Sequence, residues 1–447
     1  MAKVLPYFWL LLAVAVLAGV SNLAGAPILH TIAAMADTPS APVLAALCLF
    51  ALCSFASFYA TRGTPLPSFV VAIALGMAGH ALFAPVVASG PVLSALVTGS
   101  AAIILFGGGL EMPLRNFLRL LVKIALLAVP GVAISGFAFS FVVAVIGPSL
   151  GFAVAGPVVI LLGAILASTD PAAIIPVLEP VQFKRRDTKD IVIAESALND
   201  VVGTLLTSAF LVLPLASLTL ASAYAALATS ENLRFLAEQT LYGALCGLGG
   251  FAMLWLLGKI KLAHRESFGA DQVYFLATPI VAFVAASVLG GSGFLAAFLA
   301  GLLFHAEEHM HEIERFFFQV VDGVAKPVIF LLVGALVDVH ALIAYAPLGI
   351  AAALIFMFVI RPAMVFLMIG VFALFPGRPS GLSWRELLFI SFVRETGAIP
   401  AVLLVTAVAH MAGLTGLVEI GMWVILLTLV IAPPLTPYVA RKLGVAD

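Results

Sequence analysis

The stretch Ile191-Val-Ile-Ala-Glu-Ser-Ala-Leu-Asn-Asp-Val-Val-Gly-Thr-Leu-Leu-Thr207 decides how the chain folds. Around it, apolar residues run for about 25 positions, enough for a helix to cross a bilayer core of roughly 30 Å. Yet Glu195, Ser196, Asn199 and Asp200 fall near its middle. A carboxylate at that depth costs on the order of 3 kcal/mol or more, so it is a functional-site hypothesis by default. Glu195 and Asn199 are four apart and share a helix face, as do Ser196 and Asp200. One helix therefore presents two carboxylates, an amide and a hydroxyl to a common interior region. The plainer alternative is a buried polar network that only holds helices together.

Composition agrees with a membrane setting. The chain has 447 residues, 63% hydrophobic and 10% charged, with a mean hydropathy of +1.22. A soluble domain carries roughly 25% charged residues. Long apolar runs without period-two alternation exclude a β-barrel and leave a bundle of spanning helices. The net charge of −1, with no basic tail and no Gly-rich phosphate loop, gives no reason to expect nucleic acid as a partner. Cys48, Cys53 and Cys246 lie inside apolar runs without metal-ligand spacing and read as packing residues. No cofactor is expected.

Hydropathy marks spans at 4–21, 41–60, 68–87, 91–113, 124–147, 152–180, 188–214, 233–257, 270–290, 292–304, 316–337, 346–375, 385–408 and 415–440. They predict an all-α polytopic membrane protein of about 13–14 transmembrane helices. The first span also reads as a signal peptide, with Lys3, an apolar run and Ala24-Gly25-Ala26 as a cleavage site. A retained helix is the preferred reading.

Numbering the loops alternately puts Arg62, Arg115, Arg119, Lys123, Lys184, Arg185, Arg186, Lys189, Lys259, Lys261, Arg265, Arg315, Arg378, Arg385, Arg441 and Lys442 on one side. Only Arg234 lands at the opposite boundary. The positive-inside rule makes the basic side the cytoplasm. The expected location is the cell (inner) membrane, multi-pass, with a cytoplasmic C-terminus. Glu111, Glu179 and Glu238 lie near span ends and read as interfacial. Lys326, Arg361 and Arg394 remain inside spans, with Asp170, Glu195, Asp200 and Glu395 as the acids at membrane depth. Such groups are expected to face the bundle interior and pair.

Spans two to seven and nine to fourteen form two sets of six, joined by span eight. An odd number of helices between the sets leaves them inverted in the membrane. Residues 1–40 are then an N-terminal hydrophobic helix (or signal peptide) and loop, 41–214 a first repeat, 215–268 a linker helix and 269–447 a second repeat. The fifth helix of each set is interrupted, at Ala167-Ser-Thr-Asp-Pro-Ala172 and at Phe392-Val-Arg-Glu-Thr-Gly-Ala-Ile-Pro400. Paired interruptions at matching places mark a site built from broken helices near the midplane. Proline removes a backbone donor, and an unwound turn exposes carbonyls and amides that a charge can neutralise. Asp170 suits the amides and Arg394 the carbonyls. The plainer alternative is a proline kink with a satisfied Asp.

Ser168-Thr-Asp-Pro171, Glu195-Ser-Ala-Leu-Asn-Asp200 about 25 residues later, and Arg361-Pro362 together resemble the NhaP-type sodium/proton exchangers. These belong to the Asn-Asp, electroneutral branch of the monovalent cation:proton antiporter family. The resemblance covers nearly the whole chain in span order, and the Glu-Ser-x-x-Asn-Asp motif after Thr-Asp-Pro is specific. It implies an NhaA-like fold with crossed broken helices, and a homodimer in which a six-helix core moves like an elevator against a scaffold. It also implies roles for single residues. Asp200 is the shared cation and proton site, helped by Thr169 and Ser196. Glu195 and Arg361 form a structural pair steadied by Asn199, and Asp170 and Arg394 compensate the broken helix ends. One departure stands out: the family usually has Leu-Arg-Gly where this chain has Val393-Arg394-Glu395-Thr396-Gly397. Glu395 is an extra acid that pairs with Arg394 or Lys326, or titrates itself. Lys326-Pro327 reads as well as a helix-start lysine reaching for the interface.

The residues alone suggest a mechanism. A single carboxylate in a partly dehydrated cavity holds a proton or a small cation, but hardly both. If the site opens alternately to each side and moves only when occupied, one cation is exchanged for one proton. With Glu195 locked to Arg361, Asp200 alone changes charge and the cycle is electroneutral. An aspartate at position 199 would have suggested a second titrating group. Na⁺ is the expected cation by resemblance, with Li⁺ possible, and a K⁺/H⁺ antiporter of the same fold is the alternative. Two other classes compete. One is a passive cation channel, which a saturating, turnover-limited rate would exclude. The other is a zinc membrane peptidase at His305-Ala-Glu-Glu-His309, which fits the H-x-x-E-H pattern. A solvated interfacial segment or a pH-sensing pair explains those five residues with less.

Overall fold

The computed structural model describes residues 5–35, 40–61, 68–169, 177–178, 181–264, 269–304, 310–370 and 381–447. Among them, the extended structure is one antiparallel bridge between Phe183 and Ala446; the rest is helix and connection. Among the described residues, ten helices are long and apolar enough to cross a membrane, or eleven if a pair of helices bent by 89° counts as one span. Three shorter apolar helices, Gly156–Leu166, Gly293–Leu303 and Ala398–His410, complete a helix for every span that hydropathy marks.

The first half runs α1 (Leu5–Met35), α2 (Ala41–Thr61), α3 (Ser68–Ala78), α4 (His80–Ala88) and α5 (Gly90–Leu110). It continues with α6 (Leu114–Ala128), α7 (Pro130–Ser149), α8 (Gly156–Leu166) and α9 (Arg186–Leu211). A short α10 (Leu220–Ala226) leads to the connecting helix α11 (Ser230–His264). The second half runs α12 (Gly269–Val288), α13 (Gly293–Leu303), α14 (His311–Val320), α15 (Lys326–Leu336) and α16 (Val339–Ala344). It ends with α17 (Ala346–Ile355), α18 (Arg361–Val365), α19 (Trp384–Phe392), α20 (Ala398–His410) and α21 (Leu417–Lys442).

Two of these differ from the hydropathy reading. α1 continues through Ala24-Gly25-Ala26-Pro27 to Met35 instead of ending near residue 21. Its second half docks on α4: the Ala81 amide donates to Ser21 Oγ at 3.0 Å. A Cβ added at Gly25 would lie 3.1 Å from that of Ala81. The third span is two helices, because the chain turns by 89° at Gly79. His80 Nδ1 then lies 2.6 Å from Ala335 O, tying the bend to α15.

The helices form two layers. In one, α3 lies on α15, α5 on α13, and α11 on α12 and α13; in the other, α7 lies on α8, α6 on α9, and α17 on α21. The layers meet where α5 and α15 touch α20 and where α9 touches α5. Glycine makes the closest crossings, as in membranes where small residues let backbones approach. A Cβ on Gly76 would collide with Leu331 O, and one on Gly334 with Ile73 O. At the second crossing, Gly109 meets Phe298 O and Gly301 meets Phe106 O in the same way. Here α3 and α5 are the second and third helices of the first set, and α13 and α15 the second and third of the second. The two crossings pair the second helix of each set with the third of the other.

Candidate ion-binding site

Both broken helices end in the interior. α8 stops at Leu166, and Ala167, Ser168 and Thr169 leave it as buried irregular chain; Asp170 and Pro171 lie outside the described residues. α19 stops at Phe392, residues 393–397 are non-helical and buried, and α20 starts at Ala398. Helix ends leave backbone groups without intrahelical partners. Arg394 meets some of them: its Nη2 donates to Leu166 O at 2.7 Å and to Ala167 O at 3.1 Å. Its guanidinium stacks 3.9 Å over the Phe356 ring. The Thr396 amide donates to Thr428 Oγ1 of α21 at 3.0 Å. Glu395 is wholly buried in the same break.

The polar face of α9 meets the first break. Asn199 is the hub: its Oδ1 accepts from the Thr169 amide at 2.9 Å, and its Nδ2 donates to Thr169 Oγ1 at 2.7 Å and Glu195 Oε1 at 2.9 Å. Thr169 Oγ1 donates to Ser196 Oγ at 2.8 Å. Glu195 also accepts a two-pronged clamp from Arg361, Nη1 to Oε1 at 2.9 Å and Nη2 to Oε2 at 2.7 Å. Both partners are about 1% exposed, so the pair depends on this bidentate geometry to offset its desolvation. Asp200, one position beyond the hub, is buried as well. Thr207 lies two turns further along the same face of α9. Its hydroxyl and that of Ser168 are buried without a hydrogen-bond partner among the described residues.

Arg361 reaches Glu195 from a helix of irregular pitch. The five residues Phe356–Ile360 form a π-helical turn directly before Arg361-Pro362. Proline lacks the amide that a regular ladder needs, and the wider turn absorbs the mismatch.

Asp200 lines a narrow cavity between the layers. Gly107 and Gly108 of α5, with Glu111 at its C-cap, form one wall, and Phe318 and Lys326 form the wall on the helix His311–Leu336. Its volume is about 10 Å³, where one water molecule needs roughly 10–15 Å³. The space beside Asp200 is therefore about the size of one water molecule. Lys326 pairs with Asp322 one turn back on its own helix. Glu111 and Lys326 thus line the same cavity as Asp200. The position of Glu111 near a span end does not reveal this, and Lys326, inside its span, has two readings in the sequence. His305 and His309 lie outside the described residues. Among the described residues, no three His, Cys, Asp or Glu side chains gather to hold a metal.

The family model for "Sodium/hydrogen exchanger, transmembrane" matches residues 47–442. The chain belongs to the sodium/hydrogen exchanger family. This exchanger-family chain is 30% identical over 320 residues to the K(+)/H(+) antiporter NhaP2 of Shewanella sp. (strain ANA-3), covering 70% of this chain and 51% of that protein. It is 25% identical over 350 residues to the Na(+)/H(+) antiporter ApNhaP of Aphanothece halophytica, covering 76% and 63%. The chain thus spans about half the length of the first curated relatives it matches. Its fold matches the solved structure of the sodium proton antiporter MjNhaP1 from Methanocaldococcus jannaschii, with a TM-score of 0.66 and 21% identity over 88% of this chain and 99% of that one. The exchanger-family chain therefore has the all-helical NhaP antiporter fold.

Proposed function

We propose that this exchanger-family chain is a secondary active transporter exchanging one monovalent cation for one proton at Asp200. The observation that carries the reading is the different company kept by two buried acids on α9. Glu195 is committed, with Arg361 on both oxygens and the Asn199 amide on one of them. Asp200 instead lines the cavity between the layers, on the same helix face as Ser196, four residues before it. A carboxylate there serves H⁺ and a cation in turn, because each favours a different charge state. With the Glu195–Arg361 pair kept intact through the cycle, exchange of one cation for one proton at Asp200 is electroneutral.

In this reading Asn199 holds the first break against α9, while Arg394 and Asp170 compensate the broken helix ends. The layer of α6–α9 and α17–α21 carries the site past the other layer, through which two copies form a homodimer. The basic face is cytoplasmic, as is the C-terminus, in the cell (inner) membrane. Sodium is the first candidate, with lithium as a surrogate. Potassium is the second reading, favoured by the K(+)/H(+) antiporter name of the Shewanella relative.

The test is a pH-sensitive dye in proteoliposomes, with a proton gradient challenged by Na⁺, Li⁺ or K⁺. The expected result is dequenching that saturates with the cation and is unchanged by a potassium ionophore, which also separates exchange from a channel. Asp200→Asn should abolish it. Cation-driven dequenching retained in Asp200→Asn overturns the reading.

A further inference from the structure

The helix that carries Lys326 repeats the device that places Arg361. Val321–Ala325 is a π-helical turn directly before Lys326-Pro327, just as Phe356–Ile360 precedes Arg361-Pro362. In both, a proline without an amide follows the basic residue, and the wide turn before it breaks the regular register. Arg361 is turned onto Glu195, within one layer. Lys326 is turned onto the wall of the Asp200 cavity from the other layer. Its side chain is 18% exposed, against 50% for its partner Asp322, so the ammonium sits on the inner side of the pair.

We propose that Lys326 sets the sidedness of cation affinity in the exchange cycle, opposing cation occupancy of Asp200 from the basic face alone. The proposal rests on the exchange reading above. Four charged groups bear on the passage: Asp200 on α9, Glu111 at the C-cap of α5, and Lys326 with Asp322 on the His311–Leu336 helix. The acids draw cations in; Lys326 is the base that opposes them. In a passage this narrow with apolar walls, little water screens a fixed charge. The effect is one-sided because of where the cavity lies. Glu111 precedes Arg115, and Phe318 follows Arg315, so both walls belong to the basic end of the molecule. When the site faces the other way, Asp200 leaves this cavity and Lys326 stays behind on α15. A cation arriving at Asp200 on the basic side is therefore held more weakly and released sooner.

The experiment measures the cation KM separately at the two faces, in right-side-out and inside-out membrane vesicles. Lys326→Gln should lower KM at the basic face by about threefold to tenfold, as loss of one weakly screened charge repulsion implies, and leave the other face unchanged. Lys326→Arg should restore the wild-type value. Asp322→Asn, which keeps the lysine and removes its partner, should raise KM at the basic face. The double variant Lys326→Gln/Asp322→Asn should then fall back below Asp322→Asn at the basic face, which loss of the acid alone would not produce, and it carries the test if Lys326→Gln alone does not fold. Values unchanged at both faces, or moved equally at both, overturn the proposal. Exchange retained in Asp200→Asn would instead remove the exchange reading beneath it. An inactive Asp200→Asn with an indifferent Lys326→Gln removes this proposal alone.

Discussion

Arg361 lies 166 positions from Glu195 in sequence and touches both of its oxygens. Removing one partner of a buried pair leaves the other charge uncompensated, at a cost of roughly 3–5 kcal/mol. Arg361→Ala should therefore lower the melting temperature in detergent markedly. The double change of Glu195→Leu with Arg361→Met should recover most of that loss while exchange stays impaired. Asn199→Asp tests the charge count. It removes the amide that serves Thr169 and Glu195 and sets a second acid next to Asp200. Exchange should then become sensitive to a potassium ionophore; insensitivity would mean that the second acid does not titrate in the cycle. The grouping of Glu195, Ser196, Asn199 and Asp200 was legible from helical spacing, because four-residue intervals fix a shared face. The partner of Glu195 was not, since periodicity carries no information across separate helices; only the resemblance pointed to Arg361. From sequence, Glu111 reads as interfacial and Lys326 stands between the interface and a pairing with Glu395, because position along a span does not say which way a side chain turns.

At the scale of elements, hydropathy located every span, yet it did not show the sharp turn at Gly79 or the π-helical turns. A proline predicts a disturbed ladder but not whether the helix bends, widens or stops. The breaks themselves were readable from Thr-Asp-Pro and from the charged, Gly-containing run at 393–397. Arg394 shows what such a break demands, with one nitrogen serving two carbonyls at the end of α8. Arg394→Ala should cost roughly 1.5–3 kcal/mol, the range for hydrogen bonds to charged groups, and slow exchange even where the protein folds. The glycine crossings allow an internally controlled comparison within α5. A Cβ at Gly109 collides with the Phe298 carbonyl, whereas one at Gly99 meets nothing within 4 Å. Gly109→Ala should therefore reduce the yield of monodisperse protein sharply on size-exclusion chromatography, and Gly99→Ala should not. Equal behaviour of the two would mean that the crossing yields more readily than its backbone contacts indicate.

For the whole molecule, the two-layer arrangement makes a mechanical prediction. A cross-link between α15 and α20 ties the layers together and should stop exchange; one between α3 and α15 lies within a single layer and should leave it intact. Inhibition by both would argue that the layers do not move as units. The crossings of α3 on α15 and α5 on α13 have a consequence outside the protein. Helices held backbone to backbone cannot tilt to suit a thinner or thicker hydrocarbon slab, so the surrounding lipid must stretch or compress to match them. Reconstitution across a series of acyl-chain lengths should then give a rate with a clear maximum, and the chain length at that maximum measures the thickness this rigid wall imposes on its host.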